Sequence, residues 1–377
     1  MSDDDVLVLG AGPAGLAVAG CLVTRRVPTA VLDAGAAVGD SWRQRYDRLH
    51  LHTPRIQSGL PGLRPPRSAG RWLAKDDYAA YLAGYARRHG LEPELGVVAE
   101  RVDRTPDGYT VSTDAGPRRA GTVVVATGYQ RVPVVPDWPG AEQFRGELLH
   151  SSSYRSPAPY RGKRVLVVGT GNSGAEIAAD LAEQGAGEVW LSCRTPPHVI
   201  RRQTGPIPTT ILGIPNQYLP ARLVDPVSRR LARLTAPDLA PFGLPRPTTG
   251  LKTQFLRNAV VPLIDVGLVD QLYAGRVQVV PAVASLAADG VVLADGRELE
   301  VDVVVAATGY RRGLEDLVGH LGVLDAGGAP GVHGARTDPG APGLHFIGML
   351  PTMAGMLFQI NRDARAIARQ IGRRRGR

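Results

Sequence analysis

Two cysteines in 377 residues, Cys21 and Cys193, are too few and too far apart for a disulfide framework or a metal knuckle. Nor do they form the closely spaced pair that a dithiol relay needs. Aromatic residues make up only 5% of the chain, which argues against an aromatic cage or a base-stacking platform. Lysine is nearly missing: only Lys75, Lys163 and Lys252 among 44 basic residues, so arginine carries the formal net charge of +9. These arginines are scattered and no nucleic-acid motif accompanies them, so nucleic acid is not an expected partner. The densest group, Arg373 to Arg375 with Arg377, reads as a solvated tail, with an anionic contact as the sharper alternative. No apolar run approaches the ~20 residues of a bilayer span, so no membrane span is expected. The opening Met-Ser-Asp-Asp-Asp is acidic where a secretory leader would be basic, which makes a reduced, cytoplasmic setting the expectation.

What the chain has instead is glycine, 46 of them, placed twice in the same pattern. The short apolar run Asp5 to Leu9 ends at Gly10-Ala-Gly12-Pro13-Ala14-Gly15, continues into a helical stretch through Leu22, and is followed by a second apolar run, Thr29 to Asp33. That is a βαβ unit opening on G-x-G-x-x-G, in which the glycines permit a tight turn, close approach of backbone to a pyrophosphate, and close helix-to-sheet packing. Asp33, 18 residues beyond Gly15, ends the second strand where a carboxylate reads a ribose 2′-hydroxyl. A free 2′-hydroxyl is what the adenosine half of FAD or NAD presents.

The pattern recurs at Gly169-Thr-Gly171-Asn172-Ser173-Gly174, between the runs Lys163 to Val168 and Glu188 to Cys193. Here the second strand ends without a carboxylate. Arg194 stands 20 residues after Gly174, followed by Thr195, and an arginine there favours the 2′-phosphate that a carboxylate would repel. NADPH is therefore expected at the second turn, with Arg201 and Arg202 as further candidate phosphate contacts. A second echo pairs Val123-Val-Val-Ala126-Thr127-Gly128-Tyr129 with Val303-Val-Val-Ala-Ala307-Thr308-Gly309-Tyr310. The fold class expected is α/β: two nested Rossmann-like dinucleotide-binding domains, one inserted into the other in a glutathione-reductase-like architecture. The expected boundaries are 1–158 and 305–377 for the FAD-binding domain and 159–304 for the NADPH-binding domain. Proline-rich connectors lie at Leu60 to Arg67 and Ser156 to Tyr160, and 205–250, rich in Pro and Leu with a short helix at Val227 to Ala236, reads as a lid or an irregular packing segment.

Between the two turns, Phe144-Arg-Gly146-Glu-Leu-Leu-His150-Ser-Ser-Ser-Tyr154 resembles the F-x-G-x3-H-x3-Y/F signature of the flavin-containing monooxygenases. Gly39-Asp-Ser-Trp42 with Arg45-Tyr46-Asp47-Arg-Leu49-His-Leu-His52-Thr53-Pro54 looks like the flavin-side stretch of that class, and Gly343 to Gly348 with the helical Met356 to Ile371 looks like its closing strand and helix. Arg48 to His52 and Pro262 to Gly267 are most similar to the YUCCA-like branch. Baeyer–Villiger members usually carry Trp-Pro or Trp-Asp where this chain has Tyr154-Arg155.

The resemblance implies an FAD- and NADPH-dependent monooxygenase that places one oxygen atom from O2 on a small organic substrate through a C4a-(hydro)peroxyflavin, by N- or S-oxygenation or by oxidative decarboxylation. The alternatives are an NADPH oxidase or reductase without oxygen transfer, and a Baeyer–Villiger oxygenase. It implies FAD contacts from Gly10, Gly12, Pro13, Ala14, Gly15, Asp33, Trp42, His52, Thr53, Val102, Ala126, Thr127, Gly128, Gly348 and Gln359. NADPH contacts are implied from Gly169, Gly171, Asn172, Ser173, Gly174, Arg194, Thr195, Thr308 and Gly309. His52, where many members carry asparagine, and Asn172 are the candidate catalytic side chains, with a packing histidine as the other reading of His52. No metal is implied, and a homodimer is compatible with the family.

Overall fold

A computed structural model describes residues 4–375. Residues 1–3 of the acidic start and Arg377 of the basic tail lie outside the described residues. The chain divides into two compact units: Met1–Gln44, Thr53–Val132 and Tyr310–Arg377 form the first, Arg45–His52 and Pro133–Gly309 the second. One unit is thus nested within the sequence of the other. The division differs from the expected boundaries at 45–52, at 133–158 and at 305–309, all of which group with the second unit. The eight-residue stretch Arg45–His52 leaves the first unit and returns to it, because its side chains are anchored on a helix of the second. Residues 133–158 also group with the second unit, since Glu147–His150 is a strand of its sheet.

The first unit is built on a sheet in which Glu94–Leu95, Thr29–Asp33, Asp4–Leu9, Arg118–Val125 and Leu344–Phe346 run parallel in that order. Gly108–Thr113 and Ala99–Thr105 extend the sheet as antiparallel strands. The central strands are continuous β-branched and leucine runs because both faces are covered. One face meets the helix Pro13–Val23, whose residues Ala14 to Leu22 are all buried. The C-terminal helix Met356–Arg375 packs against that helix in turn. On the other face Leu7, Leu9, Val102, Tyr109, Val123 and Phe346 share one core.

The second unit carries a five-stranded parallel sheet, ordered Gln278–Val280, Glu188–Ser192, Arg164–Val168, Val303–Ala306, Glu147–His150. Val165, Val167 and Ile177 fill one face, and Leu166, Trp190 and Val304 the other. The segment 205–250 is more regular than expected. It holds helices Thr209–Asn216 and Ala221–Thr235, and the second begins six residues before the Pro-free piece and runs through Pro226. Pro226 removes one i→i−4 bond, which this helix tolerates because Val224 and Asp225 just before it are anchored in the interior.

Candidate functional site

The two glycine turns have the same internal geometry. Gly10 sits at φ 113° and Gly169 at φ 115°, a region that glycine enters without steric cost. A methyl at Gly10 would lie 2.7 Å from the Ala126 carbonyl oxygen, and one at Gly169 would lie 2.5 Å from that of Ala307. The third glycine of each turn is closed in more tightly still: a methyl at Gly15 or Gly174 would come within 1.8 and 1.9 Å of the carbonyl oxygens of Gly10 and Gly169. Each Ala-Thr-Gly motif is thus the wall against which a glycine turn packs.

The middle glycines are different. Gly12 has φ −77° and Gly171 φ −78°, conformations open to any residue, and a methyl on either would meet nothing within 4 Å. The fold itself gives no reason for glycine at these two positions. Each is the N-cap of a helix, where backbone N–H groups lack intrahelical partners and the dipole favours negative charge. Empty space over a helix N-terminus is the cradle a dinucleotide pyrophosphate requires, so the residues present fit FAD and NADPH.

In the first unit, Asp33 bridges the turn to its own strand end. Oδ2 accepts the Ala11 N–H and Oδ1 accepts the Gly35 N–H at 2.7 Å, leaving each oxygen a further lone pair for a ribose hydroxyl. Thr127 Oγ1 is buried without a hydrogen-bond partner among the described residues, beside the Gly10 turn. Gly348, at φ 72°, abuts Ala14, so the closing strand reaches the same helix N-terminus. Gly355 faces Thr53, with room for no side chain between them. Gln359 follows: its N–H is bonded to the Gly355 carbonyl at 3.3 Å and its side chain to Asp363 at 2.9 Å. Among the described residues, the first-turn N–H groups of this helix without an intrahelical acceptor are therefore those of Met356, Leu357 and Phe358, not that of Gln359. Trp42 sits edge-on to Tyr78, centroids 4.8 Å apart. The Val102 side chain is fully buried in the core, which leaves only its main chain for a ligand.

In the second unit, Arg194 and Thr195 are exposed at the tip of Glu188–Ser192, and Thr170 Oγ1 reaches the Thr195 carbonyl at 3.4 Å. Arg194 enters no ion pair among the described residues. Arg202 is directed elsewhere, to the Leu51 carbonyl at 2.6 Å, and burial pulls its pKa down to about 10. Arg201 lines a cavity of about 450 Å³ with Asp265, Asp270 and Tyr273. Asn172 Oδ1 accepts the Ile264 N–H at 2.7 Å, a bond that ties the turn to the strand Leu263–Asp265.

The signature motif is resolved into individual contacts. Gly146 is needed because any side chain would strike the Phe144 ring and the Asp302 carbonyl. His150 Nδ1 accepts the Ser152 N–H at 3.0 Å, so the neutral ring carries its proton on Nε2 and donates it to the Gly309 carbonyl, also at 3.0 Å. Burial holds the His150 pKa below the ordinary value, partly offset by the Gly309 bond. Thr308 Oγ1 bonds the Val134 carbonyl, and Val134 N–H returns a bond to Gly309, so the second Ala-Thr-Gly turn is held from three sides. Tyr154, fully buried, donates to Asp180 at 2.8 Å. Burial and the Asp180 charge push its phenol far above the usual range.

A buried acidic ladder on the helix Asn172–Glu183 was not anticipated. Glu176, Asp180 and Glu183 fall on adjoining turns, and Glu176 and Asp180 are almost fully buried. Tyr46 OH donates to Glu176 Oε2 at 3.1 Å, and His52 Nε2 lies 3.0 Å from Glu176 Oε1. Arg48 forms a two-pronged pair with Glu183 and approaches Asp180 at 3.9 Å. These contacts make Arg45–His52 a strap on the helix Asn172–Glu183 of the second unit. His52 Nδ1 is left buried and without a partner among the described residues, an acceptor with capacity to spare. The sequence signal was there: carboxylates at i, i+4 and i+7 on an otherwise apolar helix, with a cation-rich Arg-Tyr-Asp-Arg run upstream.

The profile described as "Flavin-binding monooxygenase-like" matches residues 111–315, and that described as "Pyridine nucleotide-disulphide oxidoreductase" matches residues 7–203. The chain belongs to the flavin-binding monooxygenase family. Among its relatives is an indole-3-pyruvate monooxygenase, YUCCA1, of Oryza sativa subsp. japonica, 36% identical over 97% of this chain and 90% of that protein. A solved flavin-containing monooxygenase from Stenotrophomonas maltophilia is 27% identical, covers 98% of both chains and superposes with a TM-score of 0.73. The complex of OTEMO with FAD and NADP, 16% identical, shares the fold, with a TM-score of 0.73 over all of this chain and 87% of the other. The protein is accordingly an FAD- and NADPH-dependent flavoprotein monooxygenase. No helix among the described residues is long and apolar enough to cross a membrane, and none of their His, Cys, Asp or Glu groups forms a metal-binding set.

Proposed function

We propose that the Gly10–Gly15 turn holds FAD, that the Gly169–Gly174 turn holds NADPH, and that the monooxygenase acts on a small 2-oxo acid by oxidative decarboxylation. The observation that carries the cofactor assignment is the contrast between two geometrically matched turns, one ending in Asp33 and the other in Arg194. Asp33 takes the ribose hydroxyls of the flavin nucleotide, Gly12 admits its pyrophosphate, and the N–H groups of Met356, Leu357 and Phe358 offset negative charge on the ring system. Arg194 and Thr195 would take the 2′-phosphate, while His150 and Thr308 hold the Gly309 turn in place. His52 Nδ1 would accept a hydrogen bond from bound cofactor or substrate, with Glu176 holding the ring proton on Nε2. Bound FAD supplies electron transfer from NADPH to O2, which leaves this chain to bind, orient and exclude water.

The substrate reading rests on likeness to indole-3-pyruvate monooxygenases along 97% of the chain. The overall change balances as 2-oxo acid, O2, NADPH and a proton giving the shortened carboxylic acid, CO2, water and NADP⁺. A cytoplasmic setting suits the two free cysteines. The test measures NADPH oxidation by the FAD-loaded enzyme with indole-3-pyruvate, phenylpyruvate, a tertiary amine and a thioether. Stoichiometric CO2 and the shortened acid from the 2-oxo acids are expected. A product heavier by one oxygen from the amine or thioether alone, or peroxide with no organic product, overturns the substrate reading.

A further inference from the structure

The helix Ala221–Thr235 is held rigidly by its buried side. Asp225 accepts the Lys252 N–H at 2.8 Å and the Thr253 hydroxyl at 2.5 Å, capping the neighbouring helix Leu251–Asn258. Lys252, itself buried, bonds the carbonyls of Asn216, Gln217 and Leu219, which close the preceding helix Thr209–Asn216. The direction in which the helix faces is therefore set by buried charged groups.

What it turns outward is apolar. Leu223, Val227, Leu231 and Leu234 are spaced as one stripe along the helix, and they are exposed by 54, 66, 43 and 85%. A surface helix normally turns such a stripe inward. Along its outer edge stand Arg222, Arg229, Arg230 and Arg233, all exposed and none in an ion pair among the described residues. The helix has one acidic residue, Asp225, and that is buried and committed. An apolar stripe edged by uncompensated cations is complementary to an anionic amphiphilic surface.

We propose that this helix docks on an anionic lipid surface, its leucine stripe at the acyl boundary and its arginines against headgroup phosphates. Pairing with a second copy would set the unpaired arginines against like charge, which favours the lipid surface as occupant. Each arginine near such a surface adds roughly a fivefold preference, so the contrast between anionic and neutral vesicles should be large.

The experiment is flotation of the FAD-loaded enzyme with vesicles of phosphatidylcholine alone and with about a quarter phosphatidylglycerol. Partition onto the anionic vesicles at least about tenfold above the neutral ones, weakened by salt, is expected. Replacing the four stripe residues by serine should abolish it, and replacing the four arginines by glutamine should erase the preference for anionic lipid. Melting temperature, bound flavin and NADPH oxidation should stay unchanged, because these side chains face solvent. Equal partition onto both vesicle types overturns the proposal, as does binding that survives the serine variant. Conversion of a dimer to a monomer by the serine substitutions, seen in sedimentation velocity, would assign the stripe to self-association and also overturn it.

Discussion

His150 donates its Nε2 proton to the carbonyl of Gly309, 3.0 Å away, while its Nδ1 accepts from Ser152. The arrangement favours the neutral ring: protonation would set Nδ1–H against the Ser152 backbone N–H, with only the Ser152 hydroxyl, 2.9 Å away, able to turn and accept it. Its folded pKa accordingly lies below the ordinary 6.5. A depressed histidine gives stability that is present above the unfolded value and lost as pH falls through the folded one. Melting temperature should therefore decline as pH drops below about 6.5. His150→Gln keeps a donor but no titrating group, so it should cost about 1 kcal/mol at neutral pH and flatten the acid limb. His89 and His198 also titrate low and stay in both proteins, so the difference isolates His150. Parallel acid limbs in the two proteins would count against this role.

The glycine turns predict a split between stability and binding. Gly12→Ala and Gly171→Ala add a methyl into open space, so the apoprotein should melt within about 0.5 kcal/mol of the parent. Gly12→Ala should nevertheless purify with little flavin, and Gly171→Ala should raise KM for NADPH. Gly15→Ala and Gly174→Ala, which drive a methyl onto a carbonyl oxygen, should fail to fold stably. Full flavin content in Gly12→Ala would remove the pyrophosphate from that turn.

Glu176 carries the strap. Removing it in Glu176→Ala strands the Tyr46 hydroxyl and frees His52, which should cost about 2 kcal/mol and lower the urea midpoint. His52 is 23% exposed, so its share is screened and smaller than that of the Tyr46 bond. Glu176→Gln preserves an acceptor for Tyr46 and should recover more than half of the loss. An unchanged midpoint in Glu176→Ala would show that the strap is held by Arg48 alone.

Much of the fold was legible because it is written in local patterns. Both βαβ units follow from apolar runs bounded by glycine, the Ala-Thr-Gly pair shows as an internal echo, and the final helix follows from the family resemblance. The strap was not, because Arg45–His52 owes its position to Glu176, Asp180 and Glu183 more than 120 residues away in sequence, and side-chain bonds of that range leave no periodic trace. His52 was read from a family position as either a site or a packing residue. The structure shows why that alternative is hard to decide: one ring nitrogen is committed to Glu176 and the other is without a partner among the described residues. Arg202 poses a similar difficulty, since nothing in an arginine-rich sequence distinguishes a half-buried arginine on a carbonyl from a surface one open to phosphate.

Arg194 is the residue on which coenzyme choice should turn. It is exposed, enters no ion pair among the described residues, and lies just past the strand Glu188–Ser192, one residue beyond the position that Asp33 holds in the first unit. A charge-assisted pair with a 2′-phosphate is worth about 1.5–3 kcal/mol, which is roughly a ten- to hundredfold change in kcat/KM. Arg194→Ala should lose that factor with NADPH and almost nothing with NADH, which has no phosphate to lose. Arg194→Asp should go further, repelling the phosphate and turning the preference toward NADH through a ribose contact like that proposed for Asp33. Arg202→Ala provides the contrast: its bond is to Leu51, so it should lower stability and leave the NADPH to NADH ratio as it was. Equal losses with both coenzymes in Arg194→Ala would place the 2′-phosphate elsewhere, and a changed ratio in Arg202→Ala would say where.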